Sequence, residues 1–125
     1  MEAPRILVVD DEELIIKSLS KLLEKNNFDV FITKNGQDAK AVAEEEEFDL
    51  IIADIRMPGM DGVETVQSIY NDLDRQNKPR IPVIFITGYA DESTRQKAKS
   101  LNPAAYIHKP FDIPELVDKI KEVLG

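Results

Sequence analysis

The chain has 125 residues, no cysteine and a net charge of -8, from 24 acidic and 16 basic side chains. That length suits one domain over residues 1–125, with its core from about 5 to 124, and the lack of thiols excludes disulfides and thiolate-bound metal, as fits a reducing cytoplasm. Lysines dispersed among acids exclude a phosphate-tracking nucleic-acid surface, and no run approaches the roughly 20 apolar residues of a membrane span or the pattern of a signal peptide.

Ile6-Leu7-Val8-Val9 reads as a strand buried on both faces, and it ends in Asp10-Asp11. An amphipathic helix follows from about Glu12 to Lys25, with Ile15, Leu19, Leu22 and Leu23 on one face. Asp29 to Thr33 is a weaker strand, expected near an edge of the sheet. Asn35-Gly36 reads as a turn, and Gln37 to Glu47 as a short helix with Ala39, Val42 and Ala43 inward. The acidic run Glu44 to Glu47 opposes the macrodipole, which predicts fraying at that helix end. A second wholly apolar strand, Leu50 to Ala53, ends in Asp54.

The third helix starts near Gly62 and buries Val63, Val66 and Ile69, after which the polar, proline-bearing stretch from Asp72 to Pro82 reads as a surface loop. Val83 to Ile86 is a strand that ends in Thr87. The fourth helix, about Ser93 to Leu101, has only Ala98 and Leu101 clearly apolar on its inner side, so it is a candidate moving part. Asn102-Pro103 ends it, with asparagine suited to a left-handed cap. Ala105-Tyr106-Ile107-His108 is a fifth strand, followed by Lys109-Pro110. Asp112 and Glu115 fit a capping box for the last helix, which buries Ile113, Leu116, Val117, Ile120 and Leu124.

Alternating strands and helices of this kind predict an α/β fold with a doubly wound, five-stranded parallel sheet. In such a sheet the carboxyl ends of the strands open into one crevice. Asp10, Asp11, Asp54, Thr87 and Lys109 each stand at a strand end, so they are expected to meet there. Taken singly, each has a plainer reading: one of the paired aspartates caps a helix, Asp54 initiates a turn, Lys109 is a surface lysine and Thr87 a β-residue. Taken together, acids, a hydroxyl and an amine suit a hard divalent cation, Mg²⁺ or Mn²⁺, and a phosphoryl group. A carboxylate such as Asp54 can attack phosphorus to give an aspartyl phosphate.

Four motifs in fixed order carry a resemblance: Ile6 to Glu12, Asp54-Ile55-Arg56-Met57-Pro58-Gly59-Met60-Asp61-Gly62, Ile86-Thr87-Gly88 and Lys109-Pro110-Phe111. With them the chain resembles the receiver domain of two-component response regulators over about Arg5 to Leu124. The resemblance implies the flavodoxin-like (βα)5 fold and a phosphoacceptor regulatory domain that catalyses only its own phosphorylation and dephosphorylation. It implies Asp54 as phosphoacceptor, and Asp11, Asp54 and the backbone carbonyl of Arg56 as Mg²⁺ ligands with Asp10 assisting. Thr87 and Lys109 would bind phosphoryl oxygens, Lys109-Pro110 would be cis, and Tyr106 would be the switch aromatic. Arg56 and Tyr89 would flank the acyl phosphate and modulate its lifetime. Partners implied are a sensor histidine kinase or histidine phosphotransfer protein, and an output domain or effector, with the domain monomeric or weakly dimeric. The switched surface would be the fourth helix, last strand and last helix.

Rival readings fit the residues less well. A haloacid-dehalogenase-like phosphatase needs a second acid two residues after its nucleophile, where this chain has Arg56, and a cap for which there is no room. A flavodoxin-like nucleotide binder needs a glycine- or hydroxyl-rich first loop, where this chain has Asp10-Asp11-Glu12. A phosphorylation-independent interaction module of the same fold would not need the intact acid and lysine set.

Overall fold

The computed structural model describes residues 3–88 and 91–125. Strands and helices alternate as β1 (Arg5–Val9), α1 (Glu13–Lys25), β2 (Asp29–Thr33), α2 (Gly36–Glu45), β3 (Leu50–Asp54), α3 (Gly62–Arg75), β4 (Val83–Thr87), α4 (Glu92–Ser100), β5 (Ala105–His108) and α5 (Ile113–Leu124). Every strand pair is parallel, in the order β2-β1-β3-β4-β5. The apolar β1, β3 and β4 take the interior, because a strand apolar at every position must be covered by helices on both faces. The more polar β2 lies at an edge, as its sequence suggests.

Side-chain alternation along the strands builds a layer on each face. Ile6, Val8, Leu50, Ile52, Ile84 and Ile86 pack with Leu19 and Leu23 of α1 and with Leu116, Val117 and Ile120 of α5. Leu7, Val9, Ile51, Ala53, Val83 and Phe85 pack on the other face with Ala39, Val63, Val66, Ile69 and Ala98. Fully burying a Val, Leu or Ile side chain contributes about 1.5–3 kcal/mol, so these two layers dominate the favourable side of folding. No helix among the described residues is long and apolar enough to cross a membrane.

Several local expectations are corrected. α3 continues through Asp72 to Arg75, where a loop was expected. Asp74 and Arg75 are exposed there, whereas the Asp72 side chain is only 13% exposed and pairs with Lys40 and Arg75; Leu73 packs on the core and buried Tyr70 donates a hydrogen bond to the Ile81 carbonyl at 2.6 Å. Asn35-Gly36 is a helix start, since Asn35 Oδ1 accepts from the Asp38 N–H at 2.8 Å. α2 stops at Glu45, and Glu46 turns extended to pair with Arg5 at 2.9 Å. In α1 the residues fully withdrawn are Ile16, Leu19 and Leu23, with Ile15 and Leu22 only partly buried. Ile113 and Leu124 of α5 are likewise only partly buried.

Asp112 makes no side-chain cap. Pro114, early in that helix, has no N–H to offer, which removes one of the orphan donors such a cap serves. The reciprocal capping box stands instead at the start of α3: Asp61 accepts from the Glu64 N–H at 2.8 Å, and Glu64 accepts from the Asp61 N–H at 3.5 Å. α4 buries only Ala98 among its own residues, with Leu101 buried just beyond it. Asn102 then takes the left-handed conformation at φ 52, as its side chain allows.

Candidate functional site

Sheet order changes direction between β1 and β3, and this opens the crevice at their carboxyl ends. Val9 is registered with Ala53, which sets Asp10 beside Asp54. Ladder hydrogen bonds continue past the strand ends: Asp10 N–H to the Thr33 carbonyl at 3.1 Å, Ile55 N–H to Ile86 at 2.9 Å, and Lys109 N–H to Thr87 at 2.8 Å. The site residues are therefore held by sheet backbone and not by free loops. Alternation decides which way each one faces. Asp10, Asp54 and Lys109 continue the face of Val8, Ile52 and Ile107, whereas Thr87 and Tyr106 belong to the face of Phe85.

Asp10 and Asp54 are both 2% exposed. The Lys109 ammonium lies 3.1 Å from Asp54 Oδ2 and 3.9 Å from Asp10 Oδ2, and it also donates to Glu12 Oε1. Asp10 Oδ1 accepts from the Glu12 N–H at 2.9 Å, so Asp10 shapes the turn into α1 without capping it. Asp10 Oδ2 is buried with no hydrogen-bond partner. Burial pushes the Asp10 carboxyl up to about 6, with the nearby Asp54 charge adding to the rise and the Glu12 N–H opposing it. Burial also raises Asp54, against the pull of Lys109. For Lys109 burial disfavours the charge, yet Glu12, Asp10 and Asp54 outweigh it and the ammonium is held more firmly than usual.

One carboxylate oxygen each from Asp10, Glu12 and Asp54 lie within 4.8 Å of one another. An oxygen-only donor set, containing a buried carboxylate oxygen with no hydrogen-bond donor, fits a hard divalent cation. Asp11 is exposed, and its carboxylate is not one of this group. Glu12 is the third acid of the group. Sequence reasoning gave Glu12 no role; the signal available was a third acid directly after Asp10-Asp11.

Arg56 sits with its N–H 3.4 Å from Asp54 Oδ1. Thr87 is buried and its hydroxyl has no partner, and the buried hydroxyl of Tyr106 has none either. Burial raises the Tyr106 phenol, while the Arg95 charge and the nearby Thr87 hydroxyl pull it back; the two hydroxyls are neighbours without a hydrogen bond of ordinary geometry. The Lys109–Pro110 peptide is cis. Tyr89, and with it part of the loop after Thr87, lies outside the described residues. A further residue with a role here is Gly62, the last residue of the Asp54 motif, packed against the Asp54 backbone.

Residues 6–121 match the family described as the response regulator receiver domain. Among curated relatives, the polar-differentiation response regulator DivK of Brucella anthropi is 32% identical over 120 residues, covering 96% of this chain and 95% of DivK. The alkaline phosphatase synthesis transcriptional regulatory protein PhoP of Bacillus subtilis is 34% identical over 120 residues. This chain spans nearly all of DivK but only 48% of PhoP. Among solved structures, a CheY-like response regulator receiver domain protein from Methanospirillum hungatei superposes with a TM-score of 0.88 at 33% identity, over 98% of this chain and 94% of that one.

Proposed function

The chain belongs to the response regulator receiver domain family, and on that premise we propose that Asp54 takes a phosphoryl group from a partner's phosphohistidine or from a small acyl phosphate. The observation that carries this reading is the Asp54 carboxylate, buried at a strand end, 3.1 Å from Lys109 and grouped with Asp10 and Glu12. An Asp54 oxygen forms the new bond to phosphorus as the donor's P–N bond breaks, or the P–O bond of an acyl phosphate, and the leaving group keeps the electron pair. Transfer of this kind is mostly positioning and charge stabilisation.

Lys109 pairs with one phosphoryl oxygen, and the unpartnered Thr87 hydroxyl donates to another. Asp11, Asp54 and the Arg56 carbonyl, with Asp10 assisting, would hold Mg²⁺ or Mn²⁺, which would supply positive charge against that of the acids and the phosphoryl group. Movement of Thr87 is felt by its neighbour Tyr106 and by α4, which buries little and shifts at low cost. The output surface is then α4, β5 and α5, and the response is a shift between two populations. Such a domain is regulatory: it works in the cytoplasm as a monomer or weak dimer, with a sensor histidine kinase or histidine phosphotransfer protein upstream. An output domain or effector reads it downstream.

Acetyl phosphate or phosphoramidate with Mg²⁺ tests this by intact-mass spectrometry. One hydrolytically labile phosphoryl adduct is expected, absent in Asp54→Asn and in EDTA. Labelling that survives in Asp54→Asn would overturn the assignment, and a wild type that takes no label would leave only an interaction module.

A further inference from the structure

The Lys109 ammonium is claimed by three carboxylates at once, Asp54 at 3.1 Å, Asp10 at 3.9 Å, and Glu12 through a hydrogen bond. Asp10 and Asp54 form the buried floor, whereas the Glu12 side chain is 53% exposed at the rim. Glu12 is also the N-cap of α1, yet its side chain caps nothing. Its carboxylate is instead committed to a lysine 97 positions away. We propose that Glu12 is a positioning residue acting through Lys109: it holds the lysine in the unphosphorylated protein and competes for it with the phosphoryl oxygens. The inference rests on Asp54 being the phosphoacceptor.

An ammonium has three donors, and Glu12 and Asp54 already take hydrogen bonds from this one. A phosphoryl group on Asp54 brings three strong anionic acceptors within reach of the same lysine. Turning towards them weakens the bond to Glu12, and the Glu12 charge itself repels the newcomer. Both effects favour the unphosphorylated state. A partly exposed charge pair of this kind shifts an equilibrium by about twofold to fivefold.

The test is titration of the Mg²⁺-saturated protein with beryllium fluoride, a phosphoryl mimic, followed by NMR, together with Lys109 Cε relaxation in the metal-free protein. Glu12→Gln removes the charge at nearly constant size. Glu13→Gln removes an equal charge one residue on, from a side chain whose partner is Lys34. Glu12→Gln is expected to tighten the mimic about twofold to fivefold and to loosen the Lys109 side chain; Glu13→Gln does neither. Unchanged or weaker binding in Glu12→Gln, equal tightening in both variants, or an equally ordered Lys109 overturns the proposal. A wild type that fails to bind the mimic removes the phosphoacceptor reading and the Glu12 role with it. A wild type that binds normally beside an unaltered Glu12→Gln removes the Glu12 role alone.

Discussion

Gly62 lies so close to Asp54 that a β-carbon there would sit 2.2 Å from the Asp54 carbonyl oxygen and 2.8 Å from its carbonyl carbon. Both are backbone atoms, so no rotation of a side chain relieves the contact. The Gly62 N–H meanwhile donates to the Ile55 carbonyl at 2.9 Å. The first turn of α3 is thereby pressed against the segment that presents the Asp54 carboxylate.

Gly62→Ala is therefore expected to destabilise the protein by about 1–3 kcal/mol, the usual cost of overpacking, and to slow acyl-phosphate labelling. Gly88→Ala is a fair comparison, because among the described residues its β-carbon would meet only the Lys109 side chain, at an ordinary 3.7 Å. That variant is expected to stay within about 0.5 kcal/mol of wild type. Denaturant unfolding measures both. Equal stability of the two variants would mean that the backbone relaxes around the new methyl group.

Stability of the metal-free protein is expected to depend on pH through Asp10. Its folded value of about 6 stands above the ordinary 3.8, so the folded protein binds this proton more tightly than the unfolded chain. The contribution is fully present below about pH 4 and is lost as pH rises through the folded value. Asp10→Asn removes that loss and is expected to raise stability at pH 7.5 by on the order of 2 kcal/mol, measured by unfolding in EDTA. A variant no more stable than wild type at that pH would reject burial as the governing cause. The same proton competes with cations, so divalent affinity of the wild type is expected to fall as pH drops through the Asp10 titration.

Asp11→Ala is expected to weaken Mg²⁺ binding more than Asp10→Ala. One Asp10 oxygen is taken by the Glu12 N–H and the other faces Lys109, whereas Asp11 is exposed and unencumbered by packing. Calorimetric titration ranks the two. Equal effects, or the reverse order, would reject Asp11 as the direct ligand and favour the Asp10, Glu12 and Asp54 grouping.

Phosphoryl lifetime is expected to depend on Arg56 and Tyr89, which follow Asp54 and Thr87 by two residues. Both are bulky, and shielding of the acyl phosphate from an in-line water predicts slow hydrolysis. Phosphate release from the phosphorylated wild type and from the Arg56→Ala, Tyr89→Ala double variant measures this. Decay that is unchanged or slower in the double variant would show that shielding is not what these side chains do.

Strands were legible because buried parallel strands leave an unbroken apolar run, as in Leu50 to Ala53, and each ended where a polar residue began. The end of α3 was not, since Asp72, Asp74 and Arg75 look like a loop when Leu73 is the only apolar residue among them. The capping box at Asp61 and Glu64 straddles the end of a motif read for other reasons, and the one expected at Asp112 and Glu115 does not form. Within the site, Asp10, Asp54, Thr87 and Lys109 were placed by strand-end logic alone. Glu12 escaped it because its position depends on the turn that Asp10 makes with the Glu12 N–H, a local geometry that strand periodicity does not encode.

Lys109 reaches Asp54 across 55 positions and Glu12 across 97, and no two of these three residues share a secondary-structure element. No peptide cut from the chain can therefore carry the site in miniature. Closing such loops costs entropy that only the assembled sheet recovers, so the constellation requires β1, β3 and β5 to be in place together. Competence to accept a phosphoryl group is thus a reporter of the complete tertiary structure, and in a partly folded or nicked protein it should vanish in step with the sheet and not residue by residue.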